Sequence, residues 1–85
     1  MPEVGKVVLA LAGREAGTLH LVVTEDGKRC KIADGRRRTL ANPKMKNPKH
    51  LREIGVRLAP EQYATDRGLR RALQAIGHRI DDNQP

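Results

Sequence analysis

The side chains able to do chemistry in this chain are few and far apart. His20, His50 and His78 fall on separate segments, and serine is absent, which removes serine-nucleophile chemistry. Cys30 is the only cysteine, so neither an intrachain disulfide nor a cysteine cluster for zinc can form, and a reducing compartment is implied. It alternates in phase with Ile32 and reads as a buried, inert thiol. The adjacent acids Glu25-Asp26 and Asp81-Asp82 belong to a turn and a terminal tail, where carboxylates are solvated. Gly13 and Gly17 match neither the dinucleotide fingerprint nor the P-loop with its lysine. The expectation is a non-enzymatic protein with no catalytic residue, metal or cofactor.

What remains is positive charge, and it is clustered. Lysine and arginine number 17 against 10 aspartates and glutamates, for a net charge of +7 and a pI near 10.3. From Lys28 to Arg57 the only acids are Asp34 and Glu53, whereas the flanking segments are nearly balanced. Such an excess favours polyanions, because neutralised phosphates release their counterions. Arg36, Arg37 and Arg38 stand beside the Asp34-Gly35 turn, and a guanidinium fork engages two phosphate oxygens at once. Lys44, Lys46 and Lys49 continue the stripe, with Met45 expected to pack back onto the fold. Tyr63 is the only aromatic and lies outside this segment, which disfavours readers that stack splayed bases and favours the backbone of folded RNA. No DNA-recognition helix is evident, since Arg67, Arg70 and Arg71 are accounted for by a packed helix.

The elements that must position these cations follow from pattern. Eighty-five residues suit one domain, with a thin aliphatic core. Val4 to Leu11 reads as a strand ending in the loop Ala12 to Gly17. Thr18 to Thr24 is a second strand, with Leu19, Leu21 and Val23 on one face and His20 and Val22 on the other. Asp26-Gly27 suits a type I′ hairpin turn, and Arg29 to Ala33 places Cys30 and Ile32 inward. A brief fourth strand is expected over Arg37 to Leu40, ended by Asn42-Pro43, then an extended surface loop over Pro43 to Lys49. His50 to Leu58 reads as a closing strand rather than a helix, despite Gly55. Thr65 or Asp66 caps a helix carrying Leu69, Leu73, Ile76 and Ile80, with Gly77 suited to its end. Five short strands and one helix fit a small, partly open barrel better than a sandwich.

These segments also carry a family resemblance. Val4 to Val8, Ala12 to Gly17 and the apolar strand through Val23 resemble a KOW motif, with Gly17 at the position of its glycine. The run Ile32 to Gly35, Arg38 to Leu40, Pro43 to Asn47 and Lys49 to Leu51 is similar to small bacterial KOW-domain RNA-binding proteins, themselves similar to a KOW-bearing large-subunit ribosomal protein of archaea and eukaryotes. The resemblance covers roughly residues 4 to 58, with a weaker echo at Arg70 to Leu73. It implies a mainly β, SH3-like barrel and binding to structured RNA, ribosomal RNA in particular, with ribosomal proteins as further neighbours. By position it points to Arg14, Gly17, Arg38, Lys44, Lys46, Lys49 and His50; Arg36 and Arg37 enter through charge alone.

The expected organisation is a barrel with its basic loop over residues 1–58, a helical extension over 59–80 packed on the same domain, and a tail over 81–85. The expected protein is a cytoplasmic monomer with a ribosome-associated role and no membrane segment. The rival is a KOW-type protein-interaction adaptor, which an exposed aliphatic patch without clustered positive charge would favour.

Overall fold

A computed structural model describes residues 2–82. Five strands, β1 (Lys6–Ala10), β2 (Leu19–Glu25), β3 (Cys30–Ala33), β4 (Lys44–Lys46) and β5 (Leu51–Arg57), form one antiparallel sheet in the order β4-β3-β2-β1-β5. One helix, α1 (Asp66–Asp82), follows. The fold is the expected one: mainly β, small and barrel-like, with a C-terminal helix.

Alternation explains why both faces of the sheet are covered. Val8, Ala10, Val22, Cys30, Ile32 and Leu51 form one buried cluster on one face of the sheet. Val7, Leu21 and Ala33 point the other way and pack with Leu58, Leu69, Leu73 and Ile76. Neighbouring residues on each strand therefore serve opposite sides, and the helix shares a core with the sheet. Leu69 is fully buried, so truncating it to Ala would cost about 3 kcal/mol. The sheet edges β4 and β5 are not paired with each other; a single 3-10 turn, Pro48–His50, carries the chain from one to the other. The barrel is thus partly open.

Several local expectations hold. Thr65 caps α1, its Oγ1 accepting the Gly68 amide at 3.0 Å, and residues Leu69, Leu73 and Ile76 make its buried stripe. Cys30 is 1% exposed, and burial pushes its thiol pKa up. The closing strand is present as β5. Between the Lys6–Arg57 and Val8–Glu53 pairs it carries extra residues, accommodated where Gly55 takes φ +80°.

Other expectations are corrected. Arg37 to Leu40 is not a strand: Asp34 Oδ1 accepts the Arg36 and Arg38 amides at 2.9 and 3.0 Å, diverting them from any ladder. The fourth strand is instead Lys44–Lys46, inside what reads as loop, pairing Cys30 with Lys46 and Ile32 with Lys44. Met45 does not pack back. It is 48% exposed, with Arg29 Nη1 3.6 Å from its sulfur. The Asp26-Gly27 turn is not type I′, since only Gly27 has positive φ; Asp26 instead accepts the Lys28 and Arg29 amides with its carboxylate. Gly77 does not end α1, which continues to Asp82. The expected tail therefore begins within the helix, and its last residues, 83–85, lie outside the described residues, as does the Ile80 side chain.

Among the described residues no helix is long and apolar enough to cross a membrane.

Candidate nucleic-acid interface

Two loops meet at one end of the sheet and build a basic cleft. The first is the connection from β1 to β2. Its glycine, Gly17, takes φ +85°, a conformation that costs other residues about 1–2 kcal/mol, and its amide bonds the Ala10 carbonyl at 2.8 Å. The loop is tightened further by Thr18, whose hydroxyl donates to the Glu15 carbonyl at 2.6 Å. The second loop leaves β3 at Asp34-Gly35. Gly35 has φ +81°, and a Cβ there would collide with the Asp66 carbonyl of α1. Arg70 Nη1 donates to the Gly35 carbonyl at 2.8 Å, and Asp66 Oδ1 accepts the Leu40 amide at 2.8 Å. The helix is therefore bolted to the arginine-bearing loop from both sides.

Between the loops lies a cleft of about 620 Å³ bordered by Arg14, Arg36, Arg37 and Arg38, with Glu15, Thr18, His20 and Asp34 below them. A second hollow of about 380 Å³ continues past Arg14 and Arg38 to Lys44 and Lys46. Six of the nine expected site residues thus gather in one place. Gly17 shapes the loop but lines neither hollow. Lys49 and His50 sit apart on the 3-10 turn, where Asn47 accepts the Lys49 amide and the His50 carbonyl accepts the Leu11 amide at 2.8 Å.

The cations of this cleft are of two kinds. Glu15 is 9% exposed and receives Arg38 through Nε and Nη2 at 3.3 and 3.2 Å. Lys46 Nζ reaches its other oxygen at 3.1 Å and the Ala12 carbonyl at 2.8 Å. Burial alone would raise the Glu15 pKa, but Lys46, the residue's own amide and Arg38 outweigh it and bring the carboxyl down to about 2. Arg38 and Lys46 are consequently joined to the fold. Arg14, Arg36, Arg37 and Lys44 make no side-chain hydrogen bond or ion pair among the described residues.

His20 is 1% exposed at the floor of the cleft. Its Nδ1 lies 3.3 Å from the Thr18 carbonyl and its Nε2 4.0 Å from Asp34 Oδ2. Burial lowers its pKa against the opposing pull of Thr18 and Asp34, so the ring is neutral near pH 7. Glu15, Thr18 and His20 as cleft residues escape sequence reasoning, because nothing local marks a loop glutamate or an in-strand histidine as a floor. Arg70 escapes it too, having been absorbed into helix packing. Among the described residues no group of His, Cys, Asp or Glu gathers to hold a metal.

No protein-family model and no curated protein matches the chain.

Proposed function

We propose that the protein binds the phosphate backbone of structured RNA through the cleft between the two loops. The observation that carries this reading is the convergence of Arg14, Arg36 and Arg37, none with an acidic partner among the described residues, on one cleft whose own acids are bonded within the fold. Glu15 is neutralised by Arg38 and Lys46, and Asp34 is engaged by backbone amides. Guanidinium groups that border one cleft and are unpaired can each fork onto phosphate oxygens. With no aromatic lining the cleft, backbone contact rather than base stacking is the mode. Ribosomal RNA, and a ribosome-associated role in the cytoplasm, is the context that the KOW resemblance suggests.

The adaptor reading has less support. The exposed large aliphatic residues among those described, Val4, Leu11 and Met45, lie before β1, after β1 and on β4, and so mark three places rather than a designed docking face.

Titration of the purified protein with a labelled RNA stem-loop at several salt concentrations tests the proposal. Neutralising about four to six phosphates should weaken binding by roughly three to five decades per tenfold rise in salt. A flat salt response would remove the electrostatic mechanism.

A further inference from the structure

The helix α1 contains two glycines, and only one of them is explained by the fold. At Gly68 an added Cβ would lie 3.1 Å from the Gln62 carbonyl oxygen and 3.3 Å from Thr65 Oγ1, so the first turn leaves little space for a side chain. At Gly77 an added Cβ would meet nothing within 4 Å among the described atoms. Nor does Gly77 serve as a cap, since the helix runs on to Asp82 and the residue has no positive φ. Glycine inside a helix is destabilising relative to alanine through backbone entropy. Here no internal contact offsets that loss.

Gly77 opens onto a groove of about 290 Å³ between α1 and the basic loops. One wall is the helix face bearing Arg70, Gln74 and Gly77; the other is Thr18, Asp34 and Arg36, with Leu19 and Leu73 supplying apolar surface between them. Arg36 also borders the arginine cleft, so cleft and groove are continuous at that residue. Arg70 spends Nη1 on the Gly35 carbonyl, and the rest of its guanidinium is without an acidic partner among the described residues. Asp34, the acid in the groove wall, spends Oδ1 on the Arg36 and Arg38 amides, and its Oδ2 lies 4.0 Å from His20 Nε2. From Arg70 to Gly77 is two helical turns, about 10 Å, enough for more than one nucleotide of a strand.

From these observations we infer that the RNA strand held in the arginine cleft continues along this groove, its sugar–phosphate backbone passing directly over Gly77, where a side chain would hold it off. The inference rests on the RNA reading and adds a second contact surface to it. Arg36 passes the strand from cleft to groove, Arg70 holds a phosphate there, and Gln74 offers its amide to ribose or phosphate. Glycine is the residue whose helix backbone a ligand can approach most closely.

The measurement is binding of a fluorescein-labelled RNA stem-loop by wild type, Gly77→Ala, Gly77→Leu and Ala75→Leu, each with its melting temperature. Ala75 is exposed on the same helix and does not line the groove. Gly77→Ala should raise the Tm by about 4 °C while weakening binding several-fold. Gly77→Leu should weaken it by about tenfold or more, and Ala75→Leu should leave it within about twofold of wild type. A gain in stability with a loss of binding at one position is an outcome that helix propensity alone does not produce. If wild type binds and both Gly77 variants bind equally well, the groove is not part of the interface and the arginine cleft stands without it. Equal losses in Gly77→Leu and Ala75→Leu would likewise overturn the groove. If wild type itself does not bind, the RNA reading fails and the groove falls with it.

Discussion

Arg38 with Lys46, and Arg36 with Arg37, belong to the same stretch of positive charge, yet the molecule uses the two pairs differently. The first pair converges on a buried carboxylate, Glu15, and ties together the β1–β2 loop, the Asp34 loop and the edge strand β4. The second pair, one residue away along the chain, is exposed and makes no side-chain ion pair among the described residues. Clustered positive charge is therefore not one property. Part of it is the internal cement of the cleft, and part is what the cleft presents. The first kind should be read out in stability and the second in binding.

The most damaging change is expected at the cement. Lys46→Met keeps the apolar stem and leaves Glu15 paired with Arg38, but it strips the donor from the second carboxylate oxygen, which stays buried without a partner. A loss of about 2 kcal/mol in unfolding free energy is expected, measurable by urea titration. Replacing Glu15 by Met as well should restore part of it, because the half-satisfied carboxylate is then gone and Arg38, about a third exposed, can turn to solvent. A single variant as stable as wild type would mean that the pair contributes nothing.

A smaller effect, and of the opposite kind, is expected at the presenting pair. Arg36→Gln with Arg37→Gln should leave the Tm within about 2 °C, since surface changes away from a network are close to neutral. RNA affinity should nevertheless fall by about tenfold, or about 1.4 kcal/mol. The matched control is Arg67→Gln with Arg71→Gln, which removes two charges from exposed positions of α1. Equal losses in the two double variants would show that net charge, not a site, governs binding.

This division was only partly legible in the sequence. The alternation of Cys30 with Ile32, the cap at Thr65 and the buried stripe Leu69, Leu73 and Ile76 are local patterns, and local patterns survive folding because each depends on one element's own periodicity. The strand β4 gave no such sign. Its three residues are Lys44, Met45 and Lys46, and the side chain that turns inward is the half-buried Lys46, which donates to a glutamate 31 residues earlier. The strand expected at Arg37 to Leu40 is lost to a single side chain, Asp34, which competes for its amides. Charge density located one side of the cleft, the loop bearing Arg36, Arg37 and Arg38; Arg14, on the other loop, lies outside the basic segment and was indicated by the resemblance alone. Charge density could not tell Arg37 from Arg38, since that difference is set by where Glu15 arrives.

The subtlest expected effect concerns the floor of the cleft and compares its two buried titrating groups. His20 has a folded-state pKa below its ordinary value of 6.5, so the unfolded chain takes up a proton more readily than the native one. Wherever the unfolded state binds more protons, stability rises with pH; the His20 contribution is therefore complete above about 6.5 and declines as pH falls below it toward the folded value. Glu15, lowered from 4.5 to about 2, has the same sign but a separate window: its stabilisation is full above about 4.5 and is lost only as pH falls toward 2. Acid should thus loosen the cleft in two stages, the histidine before the glutamate. Urea midpoints between about pH 7.5 and pH 5.5 isolate the first stage, because carboxylates such as Glu15 stay ionised throughout that interval. Wild type should lose stability across it, and His20→Gln, which keeps a polar side chain that does not titrate, should show a smaller decline over the same interval whatever its absolute stability. If the two proteins change in parallel, the neutral imidazole at the cleft floor contributes nothing to the acid response, and the first stage belongs to another group.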